Sequence, residues 1–327
     1  MVNSLRVCVK QGWLEGERKE LVTGNGSYYS FKGIPYAAPP VGRWRFKSVP
    51  AEELINTKIT LNEYEEKTAM WKINYFSPII EKKLGQEPFL AEHPVELLKK
   101  GAGKDVDVMI GYTDEEGLFG ISMFSDSLTD VFSKSPDLLL PASIVTKTSP
   151  DRVLELAERA YTRYFGDKNL NEKRIRGVVT FASEMGIYPI KEFAKLLSKS
   201  AKSRRYFYRF CCVSERNIYG AHGQKYDIIG ASHLDDMVYL FDPKRFNLKL
   251  DITSKTYDMI KLSCKVFTNF AKFGNPTPDS SLGVKWPVYS NYSRNHVDIG
   301  ETLTLGNDLD EEMFAFWKQI HKDAVTA

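Results

Sequence analysis

Apolar positions recur along this chain with two spacings, and the alternation between them predicts its elements. Residues 7–16 alternate and turn like an antiparallel hairpin. Residues 28–42 are dense in proline and glycine, which predicts an ordered loop of fixed shape. Residues 51–86 are polar and weakly periodic. A short buried strand is predicted at Asp107-Val-Met-Ile-Gly111, breaking into an acidic turn at 113–117. A mainly helical stretch follows. In its clearest segment Ser149 is the N-cap, Pro150 takes N1, Val153, Ala157, Ala160, Tyr161 and Tyr164 share one face, and Gly166 ends the helix. A second buried strand is predicted over residues 206–213, ahead of a loop containing Gly230-Ala-Ser-His233. Met259, Ile260, Ser263, Val266, Phe267 and Phe270 mark another helix that stops at Gly274-Asn-Pro276. Strand-like residues 296–300 and 303–305 then lead into a last amphipathic helix built on Leu309, Met313, Phe314, Trp317 and Ile320.

Strands alternating with helical patterns predict an α/β protein, a mostly parallel sheet with helices on both faces. About four strands is few for such a sheet, the first sign of something missing. The 327 residues are 43% hydrophobic and 13% aromatic, the composition of an ordinary globular chain. With 45 basic and 42 acidic side chains the surface is a solvated mixture of charge, which argues against nucleic acid as a partner. No apolar run approaches the about 20 residues that span a bilayer, and residues 1–10 lack the apolar core of a secretory signal; both point to a cytoplasmic protein. Cys8, Cys211, Cys212 and Cys264 have no metal-like spacing, and 211 and 212 read as buried free thiols.

In open α/β sheets, functional groups gather beyond the carboxyl ends of the strands. Two titratable residues lie there: Glu116, in the turn after the first buried strand, and His233, in the loop after the second. A carboxylate and an imidazole so placed suit the orienting and base roles of a nucleophilic triad. A loop glutamate is more often solvated, and a loop histidine more often a hydrogen-bonded cap. His93, His222, His296 and His321 are read as surface or capping residues. A metal set of His233, Asp235 and Asp236 is sterically poor, so neither a metal nor a cofactor is implied.

Residues 28–46, YYSFKGIPYAAPPVGRWRF, closely resemble the N-terminal signature of type-B carboxylesterases, the cholinesterase-like family. Phe76-Ser-Pro-Ile-Ile-Glu81, Pro88-Phe-Leu90, His93-Pro94 and residues 105–119 resemble the stretch leading to that family's acid, which maps to Glu116 rather than Glu115. Residues 230–241, GASHLDDMVYLF, resemble its histidine loop and map the base to His233; the Asp-Asp pair is most like insect α-esterases. Residues 269–276, Trp286-Pro287 and Tyr289 resemble its C-terminal landmarks. The resemblance implies a single α/β-hydrolase domain over residues 1–327, a serine-esterase mechanism through an acyl-enzyme, and small hydrophobic carboxylic esters as substrates.

The departures are specific. The family's nucleophile sits on a Gly-x-Ser-x-Gly elbow, and these 327 residues contain none. Gly120-Ile-Ser122-Met-Phe124 and Gly230-Ala-Ser232-His-Leu234 each lack the second glycine and follow Glu116, against the family order of serine, acid, histidine. No Gly-Gly pair occurs, so the glycine-rich oxyanion loop is missing too. Leu234 replaces a small residue, which predicts crowding of the histidine. The match jumps from about residue 50 to about 76, as if a central block had been lost. The expectation is an ester hydrolase by family that is inactive as this chain. A non-catalytic cholinesterase-like binding protein is the alternative. Loss of the block from an active esterase, by exon skipping or an incomplete gene, suits the well-kept flanking motifs.

Overall fold

In this computed structural model the described residues are 4–10, 12–21, 23–34, 80, 90–122, 132–166, 173–199, 202–307 and 309–325. The sequence motifs at 35–46, at 76–81 apart from residue 80, and at 88–89, and the weakly periodic stretch 51–86 apart from residue 80, lie outside them. The chain divides into two compact units, Met1–Trp71 and Lys72–Ala327.

Among the described residues, the smaller unit holds the expected hairpin and one strand more. Strands β1 (Ser4–Val9), β2 (Gly12–Glu20) and β3 (Ser27–Ser30) form an antiparallel sheet with β2 in the middle. Val7 lies opposite Leu14 and Cys8 opposite Trp13, so alternate residues share a face.

In the larger unit the first described helix is α1 (Pro94–Lys99), whose N-cap is His93: its Nδ1 accepts from the Val95 N–H at 3.3 Å. Then come β4 (Val108–Thr113), α2 (Pro150–Phe165), α3 (Lys173–Lys199), β5 (Arg205–Phe210), α4 (Lys255–Phe273), β6 (Asn295–Ile299), β7 (Leu303–Asn307) and α5 (Glu311–Val325). The four strands lie in the order β4-β5-β6-β7; the first three run parallel and β7 returns antiparallel. Helix α2 starts at Pro150 and ends on Gly166 at φ 60°, and α4 ends on Gly274 at φ 59°, the glycine stops expected of them.

Because strand side chains alternate, β5 feeds a core on each face. Phe207, with Tyr112 of β4, packs against α2, α3 and α5, whose Leu156, Ala160, Val178, Trp317 and Ile320 are fully buried. Tyr206, Tyr208 and Phe210 point the other way and meet Val297 and Ile299 of β6 and Met259 and Val266 of α4. The sheet therefore carries helices on both faces.

Several details differ from the sequence reading. β5 stops at Phe210, so Cys211 and Cys212 lie just past it; both thiols are free, and burial pushes each up to about 12. His296 is not a surface or capping residue but 4% exposed in β6, in a space kept open by Gly306 opposite it on β7. His321 stacks on Tyr188 with ring centroids 5.2 Å apart, and burial lowers its pKa. The 27 residues of α3 form the longest described helix, and one turn of it presses on the segment that follows β4. A Cβ on Gly117 would overlap the Val179 carbonyl oxygen of α3, while the Gly117 N–H donates to Ser183 Oγ at 2.8 Å. Among the described residues, no helix is long and apolar enough to cross a membrane.

Gly117→Ala should therefore cost about 1–3 kcal/mol, the usual penalty for a group forced into a packed interior, read as a lower urea midpoint. An unchanged midpoint would show that α3 does not hold this turn.

Candidate active site

The acid turn and the histidine loop leave the sheet side by side. β4 ends at Thr113 and β5 at Phe210, paired residue for residue. The chain after β4 turns directly into a 3-10 segment, Glu116–Ser122, which returns the Glu116 side chain over the strand end. There Glu116 Oε1 accepts from the Thr113 N–H at 2.8 Å. Its other oxygen, Oε2, lies 2.7 Å from His233 Nδ1. A carboxylate only accepts, so Nδ1 carries the proton and Nε2 is left as the ring's basic nitrogen. The Glu116 side chain is 15% exposed and the histidine side chain 55%. The two residues chosen from the sequence are thus brought into direct contact across 117 positions of chain.

The electrostatics follow from that contact. The hydrogen bond to Glu116 raises the pKa of His233 above its ordinary value, against partial desolvation and with help from the nearby charges of Glu116 and Asp236. Burial, and then the Glu116 charge, raise the pKa of Asp236. Glu115, the neighbour not assigned as the acid, turns away and pairs with Arg176 at 2.7 Å. Phe119 presents its ring edge-on to His233 with centroids 5.6 Å apart, and Tyr219 packs on Phe119 at 4.9 Å.

Asp235 has a role the sequence did not disclose. It is fully buried, and its carboxylate accepts from the N–H groups of Ile218, Tyr219, Gly220 and Ser232 and from Asn217 Nδ2, at 2.8–3.3 Å. This cradle shapes the loop on both sides of His233, and it occupies the oxygens that a metal set with His233 and Asp236 would need. Burial still raises the pKa of Asp235 against these bonds. Leu234 is 41% exposed and takes φ 73°, the left-handed region where a branched side chain is strained.

Two outcomes are expected. The His233 imidazole should titrate above 6.5 by NMR, and Glu116→Gln should return it towards that value. Because the folded pKa is the raised one, the pair's stabilisation is complete below about 6.5 and fades as pH rises through the folded value. A parent histidine titrating at or below 6.5 contradicts the pairing. Leu234→Gly should unfold at higher urea than Leu234→Val, separated by about 1–2 kcal/mol, the left-handed cost of a side chain; the reverse order would show that φ is not the constraint.

The comparisons follow the same outline. The model of the carboxylesterase family matches residues 3–56 and 47–317. A juvenile hormone esterase of Heliothis virescens is 23% identical over 295 residues, covering 83% of this chain and 50% of that protein. Esterase B1 of Culex pipiens is 27% identical over 210 residues, 62% of this chain and 37% of its own length. The pyrethroid hydrolase Ces2a of Mus musculus is 25% identical over 235 residues, 70% and 40% respectively. This chain therefore spans half or less of the length of each of these relatives. Among solved structures, the juvenile hormone esterase of Manduca sexta, with OTFP covalently attached, superposes with a TM-score of 0.66 at 22% identity over 84% of this chain and 51% of that one. A PNB esterase gives 0.54 at 21% identity over 84% and 50%. The chain belongs to the carboxylesterase family and has the α/β-hydrolase fold of those esterases.

Proposed function

We propose that this chain is a carboxylic-ester hydrolase by descent that keeps the acid Glu116 and the base His233 but does not itself turn over esters. The observation that carries this reading is the 2.7 Å contact between Glu116 and His233 in a sequence that contains no Gly-x-Ser-x-Gly. In a complete site, the carboxylate holds the imidazole in one tautomer and stabilises the imidazolium, while Nε2 removes the proton of the attacking hydroxyl. Here the sequence supplies no elbow serine for the imidazole to deprotonate. The adjacent glycines that would supply oxyanion donors are absent from the sequence as well, and losing such a donor costs about 10²–10³ in rate.

The two family matches meet at residues 47–56, which supports loss of a central block close to residue 50. The parent substrates are small hydrophobic carboxylic esters. Support comes from the names of the relatives, juvenile hormone esterase and pyrethroid hydrolase, and from the apolar setting of His233. Phe119 stands against its ring, and Leu234 and Met237 follow it with 41% and 43% of their surface exposed.

The purified chain should hydrolyse p-nitrophenyl butyrate no faster than buffer and take up no organophosphate by mass spectrometry. Hydrolysis that a stoichiometric organophosphate abolishes would overturn the reading. In a chain with a family elbow block restored after about residue 50, hydrolysis should return, and His233→Ala should lower it by about 10⁴–10⁶-fold, because triad members act as a unit.

A further inference from the structure

Given the reading of Glu116 and His233 as a retained acid–base pair, we propose that Asp114 is a positioning residue, tying the histidine loop to the acid turn and so keeping that pair in contact. The β4–β5 ladder continues one step past Thr113: the Asp114 N–H donates to the Phe210 carbonyl at 3.0 Å, which fixes the Asp114 backbone to the end of the sheet. Its side chain then crosses to the other loop, where Oδ1 accepts from the Ala231 N–H at 2.7 Å. The next residue makes the second tie, Glu115 N–H to the Ala231 carbonyl at 2.9 Å, and the one after it is approached by the His233 N–H, 3.3 Å from the Glu116 carbonyl. Residues 114, 115 and 116 thus meet residues 231, 231 and 233 like rungs. The rung that a strand would make with a main-chain carbonyl is made here by a carboxylate.

Two features show how tightly the loops are laced. A Cβ on Gly230 would overlap the Glu115 side chain and come within 3.0 Å of Asp114 Oδ1, so only glycine allows this approach. Ala231 is fully buried, so its N–H, left without an acceptor, costs about 1–3 kcal/mol and favours opening of the loop. Ala231 lies two residues before His233, and an opened loop carries the imidazole away from Glu116. Glu115 is paired with Arg176, and the carboxylate that faces the Ala231 N–H is that of Asp114.

The tie also responds to pH. Burial, with the charge of Glu115 beside it, pushes Asp114 up to about 6, while the Ala231 N–H and Arg209 pull the other way. The other titratable neighbours, Cys211 and Cys212, stay neutral thiols in this range. Below about pH 6 Asp114 gains a proton and the bond to Ala231 loses its charge assistance.

The test is NMR on the full chain, comparing Asp114→Ala and Asp114→Asn. In Asp114→Ala the His233 titration should fall towards 6.5 and the Ala231 amide should exchange at least about tenfold faster, as expected for a loss of about 1.4 kcal/mol of protection. Asp114→Asn keeps an acceptor oxygen and should preserve both. A parent-like His233 titration and parent-like exchange in Asp114→Ala overturn the proposal. If that variant does not fold, the Ala231 amide shift is followed in the parent and in Asp114→Asn. A step near pH 6 in the parent, absent from Asp114→Asn, supports the tie, and a flat shift in the parent refutes it. None of these readouts depends on turnover, so ester hydrolysis by the unaltered chain overturns the functional reading while leaving this one standing.

Discussion

The parallel pairing of β4 with β5, in register from Val108 opposite Arg205 to Thr113 opposite Phe210, is the constraint on which the larger unit depends. It places two strand ends side by side and sends their following loops off in the same direction, so one turn delivers a carboxylate and the other an imidazole. It also makes β5 the partition between two cores, with Phe207 committed to one face and Tyr206, Tyr208 and Phe210 to the other. A one-residue slip would exchange those faces and separate the loops together.

Around that pairing, the loops are shaped by carboxylates rather than by regular structure. Asp235 gathers main-chain N–H groups from 218–220 and 232, and Glu116 takes the N–H of Thr113 with the oxygen it does not present to His233. Each buried charge carries a desolvation cost, visible in the raised pKa of Asp235, and each is offset by donors that would otherwise be unpaired. The outcome is a histidine whose ring is half in solvent while its backbone is held on both sides.

The sequence patterns announced much of this. Ser149, Pro150 and Gly166 bracket α2 because caps act locally, and the apolar stripe from Met259 to Phe270 lies on the buried side of α4. Helix α3 is harder to see: Gly186 and Pro189 break its sequence pattern although the helix runs through both, and local propensity cannot register that α2 and the acid turn hold it in place. β5 ends earlier than its apolar run, which continues through Cys211-Cys212-Val213, because a strand stops where its ladder stops. Burial of His296 was hidden because the space for its ring comes from Gly306 on the next strand, a pairing known only after folding. In the sequence only the family resemblance distinguishes Glu116 from Glu115; in space, the Arg176 pair and the Thr113 N–H separate the two. The cradle around Asp235 had no sequence signal beyond an acid beside a histidine.

The distance along the chain between Glu116 and His233 has a kinetic consequence. Their contact closes a span of 117 residues that contains α2, α3 and β5, and parallel pairing earns its hydrogen bonds only after such a loop has closed. The helices form from local contacts on a much shorter timescale. A refolding chain therefore acquires most of its helical signal before its acid and imidazole meet, and the environment of His233 reports on the long-range stage of assembly rather than on helix formation.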